Sequence, residues 1–342
     1  MFCARPWLDY MKEQEIDEII ACLDKGRTLF YYFRDRYALL LMKYHVGRGK
    51  PIREIRRSRY SRLLSKPMFK ELIRKAGDGV VTEELLNGVW VPRPECYLLT
   101  LGKWGARGRE WGSWHCGYYQ TSRQGANLVL QLNFSAKHNR PYYELIRPGD
   151  YHPFECFLHP ITRPGYHTLA WSRIDIDMGC GEALIEEIQN DWIRLATSKR
   201  ATVETLERNG GDRVRLLQRE FRGSKCDSKA VLKYVEDVLK PHIKIWDEAI
   251  LAATIWFLKE ELGISRIFYH TFETGNRLKG IGQYRPPRSV YSDLPKKFVF
   301  QQTPQGPELL RRSRSSRIRS ILEQSPSFYL LELNGTKPAS DV

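Results

Sequence analysis

Long apolar runs are missing from this 342-residue chain. No stretch reaches the length needed to span a bilayer, and the N-terminus lacks the basic-then-apolar order of a secretory leader. The seven cysteines (Cys3, Cys22, Cys96, Cys116, Cys156, Cys180 and Cys226) are odd in number, widely spaced and without a Cys-x-x-Cys pair, which argues against a disulfide framework and a structural zinc site. Together these absences predict a cytoplasmic, reducing setting and no membrane partner. There is no Gly-x-Ser-x-Gly elbow and no Gly-x-x-x-x-Gly-Lys-Ser/Thr loop, so α/β-hydrolase and P-loop ATPase chemistry fall away. His152, His159 and His167 lie close together, yet no His-x-x-x-His or facial-triad spacing occurs; no metal site is expected on that ground. Acidic residues are outnumbered 40 to 55 by Lys and Arg, and the resulting +15 favours a polyanionic partner, nucleic acid above all, with a protein partner as the alternative.

Apolar residues at 42% and charged residues at 28% are those of a globular chain long enough for two domains or one elaborated one. From Leu8 to Ala76 the apolar spacing is helical: Ile16, Ile19, Ile20 and Leu23, then Leu29, Phe33, Tyr37, Leu40 and Leu41. Two short helices are expected between Arg53 and Lys75, with Pro67 in a first turn. Residues 1–88 thus read as a basic helical region. Residues 89–310 read as an α+β domain with a mixed, largely antiparallel sheet. Its strands include 127–134 and 168–174, and a tight connection at 178–181 leads into a strand at 183–189. A charged helical insertion occupies 193–240. An apolar helix over Trp246 to Leu262, ended by Gly263, packs under the sheet, and a strand at Ile267 to Tyr269 ends at His270. Residues 311–342 read as a basic tail, partly disordered.

Three features carry candidate function. The tract Arg48 to Lys75 holds eleven Lys or Arg against two Glu, a net of +9. Arg48, Lys50, Arg53, Arg56, Arg57, Arg59 and Arg62 are its candidates for phosphate contact, set against a merely solvated face. Between Gly102 and Gln120, Trp104, Trp111, Trp114, Tyr118 and Tyr119 alternate with glycines and with Lys103, Arg107 and Arg109. Trp111 and Trp114 suit stacking of unpaired bases, or else build core. The third feature is Glu186-Glu187-Ile188-Gln189-Asn190-Asp191-Trp192. In a strand Glu187, Gln189 and Asp191 share one side. Either they form a polar site, or the run ends a strand with Asn190 or Asp191 capping the next helix. On the first reading Glu187 is a general base or positioning carboxylate, Gln189 and Asp191 assist, and His270 and Tyr291 line the same cleft. On the second the chain is a non-catalytic binding or interaction module.

Thr168 to Arg173 followed by Ala183 to Trp192 resembles the "LxxEEIQSDW" block of large polyvalent proteins of phages and conjugative elements, with Asn190 where that family has Ser. Trp246-Asp247-Glu248-Ala249-Ile250, Gly263-Ile264-Ser265-Arg266-Ile267 and Tyr291-Ser292-Asp293-Leu294-Pro295-Lys296-Lys297 are similar to its later elements. The resemblance implies a phage, mobile-element or antiviral-defence setting without fixing a reaction. More distantly, the order of hairpin, apolar helix, strand and closing helix resembles GCN5-related N-acetyltransferases, which implies a transferase using acyl-CoA. Those enzymes grip the pyrophosphate with Gln/Arg-x-x-Gly-x-Gly/Ala; here the position reads Pro241-His242-Ile243-Lys244-Ile245-Trp246, without glycine.

Overall fold

The computed structural model describes residues 13–21, 28–105, 120–161, 165–209, 213–282, 286–324 and 326–333. The chain is α+β. Its frame is an eight-stranded mixed sheet formed by β1 (Thr28–Tyr32), β4 (Glu95–Trp104), β5 (Asn127–Phe134), β6 (Thr168–Asp177), β7 (Glu182–Gln189), β8 (Arg266–His270), β9 (Gln301–Thr303) and β10 (Phe328–Glu332). The strand order is β1-β4-β5-β6-β7-β8-β10-β9, while β2 (Lys50–Pro51) and β3 (Val80–Val81) pair separately. Every ladder of the large sheet is antiparallel except β7 with β8, which is parallel.

That parallel step requires a long crossover, and residues 191–261 supply it. A helix at Asp191–Asn209 begins directly after β7, with Asn190 Oδ1 accepting from Ile193 N–H at 2.7 Å, so the capping role expected of Asn190 is real. The apolar helix Trp246–Trp256 continues through a wider π-type turn at Phe257–Glu261 and packs against β5, β6 and β7. Ile185 and Tyr269 join the main core on one face of the sheet. Leu184 and Phe268 join a second cluster on the other, with Leu278, Leu309, Leu310, Ile318, Ile321 and Phe328. Helices on both faces explain why β5 to β8 read as near-continuous buried runs.

Two expectations about the ends of the chain need correction. Leu29 and Phe33 do not continue a helix: residues 28–32 are edge strand β1, paired with β4, and its burial alternates with the period of two that a strand imposes. The helical region therefore contributes a strand to the same sheet as the rest. The basic tail is likewise not simply a tail. Ser316–Glu323 is a helix, and β10 lies inside the sheet between β8 and β9, with Phe328 and Leu331 fully buried. Among the described residues no helix is long and apolar enough to cross a membrane.

Candidate active site

The five residues proposed for one cleft separate into two groups: Glu187 and Gln189 share a side of β7, opposite Arg173 and Trp171, but Gln189 lies further along it beside Asp191 of the next helix, and a β-bulge at Glu186 decides which carboxylate meets His270. Arg173 pairs with Glu187 while the next residue, Ile174, pairs with Ile185, so Glu186 is an extra residue on β7. Consecutive residues of β6 face opposite ways, hence Glu187 and Ile185 do too, and the strict alternation read from the sequence resets at Glu186. The β7–β8 pairing also stops at Ile185 and Tyr269. Beyond that point the strands part, and polar side chains fill the wedge.

In the wedge Glu186 accepts from Ser122 N–H (3.0 Å) and Ser122 Oγ (2.9 Å), and His270 Nε2 lies 3.1 Å from its Oε2. Burial opposes ionisation of Glu186. The hydrogen bond from His270, with the positive charges of Arg173 and Lys279, outweighs it and holds the carboxyl down at about 2. Burial pushes the His270 imidazole down, and Nδ1 has no partner among the described residues. Ser122 Oγ spends its own proton on Glu186 and lies 2.8 Å from His270 Nε2, so the network places the ring proton on Nε2, facing Ser122 Oγ and Glu186, and leaves a bare lone pair on Nδ1. Lys279 is buried and donates from Nζ to the Glu186 carbonyl (2.8 Å); burial lowers its pKa. Gly275 makes this closeness achievable, since a Cβ there would lie 3.0 Å from His270 Cβ.

Glu187 is held by Arg173, Nη2 to Oε2 at 2.8 Å. Arg173 also donates to the Gln120 carbonyl (2.6 Å), while among the described residues its Nε and Nη1 are buried and unpartnered. Tyr291 is buried, its hydroxyl makes no hydrogen bond to any described residue, and Lys279 Nζ sits 5.5 Å from its ring centre. Glu187, His270 and Tyr291 are therefore neighbours of one wedge, but Glu187 is a tethered carboxylate and Glu186 is the one that bonds His270. Sequence reading missed Glu186, Arg173, Ser122 and Lys279; the doubled Glu was the only sign.

Gln189 and Asp191 belong elsewhere. Asp191 Oδ2 lies 2.6 Å from His159 Nδ1, and Asp191 Oδ1 accepts from Gln189 Nε2 (2.9 Å) and Arg194 Nη2 (2.7 Å). Cys156 completes this group: its sulfur, a His159 nitrogen and an Asp191 oxygen lie within 4.8 Å of one another. His152, Glu155 and His167 converge similarly. The expectation of no metal site looked at spacing along the chain, whereas both groups form only in the folded molecule.

The basic tract is a surface. Arg48, Arg53, Arg56, Arg57 and Arg62 are exposed and make no ion pair among the described residues, and Lys50 is half-buried. Arg59 is used structurally, donating to Gln301 Oε1 (3.1 Å) and to the Glu332 carbonyl. Trp111 and Trp114 lie outside the described residues. Trp104 stacks with Trp171 at 6.4 Å and lies 5.2 Å under the Arg173 guanidinium. Comparison with known protein families, curated proteins and solved structures finds no match to this chain.

Proposed function

We propose that this chain is a transferase-type enzyme acting on or beside nucleic acid in a phage or mobile-element setting, with its reacting groups in the wedge between β7 and β8. One observation carries the reading. Arg173, Glu186, Glu187, His270 and Lys279 are all buried around one point, and Arg173 Nε and Nη1, His270 Nδ1 and Tyr291 Oη are left unbonded there among the described residues. A network serving only stability satisfies its buried polar atoms, because each orphan costs on the order of 1–3 kcal/mol. Perturbed, incompletely bonded ionisable groups are what proton-transfer chemistry needs.

His270 Nδ1 is the general base, and Glu186 fixes its tautomer. Arg173 and Lys279 stabilise negative charge developing on a substrate, while Glu187 positions Arg173. The succession of hairpin, apolar helix, parallel strand and closing helix supports the acetyltransferase likeness, and the Glu186 to Trp192 block supports the mobile-element setting. A pyrophosphate would not be held at the start of the apolar helix: its first turn carries Asp247 and Glu248, and Glu248 already accepts from Asp35 N–H (2.9 Å). An acyl-CoA donor would have to be gripped elsewhere.

The test incubates the full chain with labelled acetyl-CoA and mixed oligonucleotides and follows label transfer and melting temperature for wild type, His270→Gln and Tyr291→Phe. Transfer that His270→Gln abolishes, with Tyr291→Phe melting at or above the wild-type temperature because it deletes a hydroxyl unbonded among the described residues, is the expected result. Failure of acetyl-CoA and nucleotides either to react or to shift the melting temperature, with heparin retention intact, leaves the second reading: a non-catalytic nucleic-acid-binding module. The exposed arginines at 48–62 favour that one.

A further inference from the structure

We propose that Cys156, His159 and Asp191 form a binding site for one divalent transition-metal ion of the zinc class, with a coordination position open to water or a substrate atom. The site is distinct from the wedge and does not depend on the transferase reading. Cys156 and His159 are the ends of a single turn closed by His159 N–H to the Cys156 carbonyl (3.0 Å), which puts a thiol and an imidazole on one short loop. Asp191, at the start of the helix after β7, meets them from the sheet. All three donor atoms lie within 4.8 Å of one another, and Cys156 and His159 are half-buried, so an ion can enter.

The donor set decides the class of ion. Thiolate with imidazole selects zinc-like metals over magnesium or calcium, and three protein ligands with a fourth position free is the pattern of reactive zinc sites. A cysteine–histidine–carboxylate relay for covalent catalysis is the rival arrangement, but it places sulfur and carboxylate on opposite sides of the imidazole ring. Here the three form a compact triangle, which is one face of a coordination tetrahedron.

The surroundings fit the same occupant. His159 Nδ1 lies 2.6 Å from Asp191 Oδ2, so two of the donor atoms a cation would take already face each other. Bonds of about 2.1 Å at tetrahedral angles set nitrogen and oxygen roughly 3.4 Å apart, so entry needs only a small rotation of the side chains. Gln189 and Arg194 hold the other Asp191 oxygen, as outer-shell partners of a ligating carboxylate do.

Cobalt(II) reads the site directly. The full chain, stripped with a chelator and dialysed, is titrated with Co²⁺ while near-ultraviolet thiolate-to-cobalt absorption and visible tetrahedral bands are followed. Expected are saturation near one ion per chain, loss of the thiolate band in Cys156→Ser, its retention in Cys226→Ser, and affinity about 10- to 100-fold weaker in Gln189→Ala. Circular dichroism of the variants checks that they fold. Zinc should also slow alkylation of Cys156 by iodoacetamide. Binding without a thiolate band, as the His152, Glu155 and His167 group would give, overturns the proposal. So does a band that survives Cys156→Ser, or alkylation of Cys156 at the same rate with and without zinc.

Discussion

Arg173 and Glu187 face each other across the β6–β7 ladder at the bulge, 2.8 Å apart, with the guanidinium fully buried and two of its nitrogens unpartnered among the described residues. Glu187→Gln therefore takes from a buried cation the one carboxylate that bonds it directly, leaving Glu186 as its nearby negative charge. Breaking one side of such a pair costs about 3–5 kcal/mol, whereas replacing both sides by apolar residues can be neutral. Urea unfolding of Glu187→Gln, Arg173→Met and the double variant Arg173→Met/Glu187→Leu should show a large loss for the first and recovery of most of it in the double. A wild-type midpoint for the single variant would mean that the wedge is wet enough to hydrate the arginine.

The basic surface makes a separate, salt-dependent prediction. Each neutralised phosphate contributes about 0.9 to the slope of log affinity against log salt. Replacing Arg53, Arg56, Arg57 and Arg62 by Gln should lower that slope by about 3 to 4 if all four touch phosphates, with little change in melting temperature, because these side chains are exposed. Arg59 stays in place, since its bonds to Gln301 and Glu332 serve the fold. An unchanged slope would remove this face as the contact surface.

How far the sequence could be read depended on whether a signal was local. The hairpin of β6 and β7, the helix from Trp246 and strand β8 were legible because each has its own periodicity and a turn or cap to bound it. Strand β1 was not, because Leu29 and Phe33 stand at helix spacing and run into the true helix Arg36–Val46. Strand β10 was missed because five residues behind an arginine-rich stretch become a strand only when a slot between β8 and β9 exists for them. The same limit applied to the sites. Pleat alternation grouped Glu187, Gln189 and Asp191, but a one-residue bulge, invisible in the sequence, assigned Glu186 to His270. Cys156 and His159 offer one short pair, and the third member, Asp191, arrives from 32 residues further on. No spacing rule encodes that distance.

The position of β10 can be tested by shortening the chain. Ending it at Gln324 removes the strand that joins β9 to β8, exposes Ile267 and Phe268, and deletes the buried Phe328 and Leu331. Deleting a large core side chain alone costs about 2–5 kcal/mol, against a total stability of about 5–15. The shortened chain should therefore fail to accumulate as soluble protein, or should bind a hydrophobic dye and lose cooperative melting. A cooperative, wild-type-like transition would contradict the strand order.

Acid sensitivity follows from histidines held down by burial, His45, His138, His242 and His270, of which His138 and His242 stand together in the core. Burial pushes His242 down to about 4, and burial with the nearby charges of His242 and His167 pushes His138 down to about 2. For a base whose folded pKa is lowered, the unfolded chain takes up the proton first, so stability is full above the unfolded value of 6.5 and falls as the pH drops below it. Each such histidine contributes a slope of about 1.4 kcal/mol per pH unit. Toward pH 4.5 the Glu186 carboxyl begins to take up a proton in the unfolded chain alone, a loss shared by every variant that keeps Glu186 and so cancelled in the comparison. His159 is pushed up to about 10: burial opposes this, and Asp191 and Cys156 prevail, so its stabilisation is already complete below 6.5. His242→Asn, whose amide can still bond the Tyr97 hydroxyl that lies 2.8 Å from His242 Nδ1, should therefore reduce the pH slope of the unfolding free energy in this window by about 1.4 kcal/mol per unit. An unaltered slope in urea titrations at pH 6.5, 5.5 and 4.5 would mean that His242 gains its proton without unfolding, through local opening of the β4 side of the core.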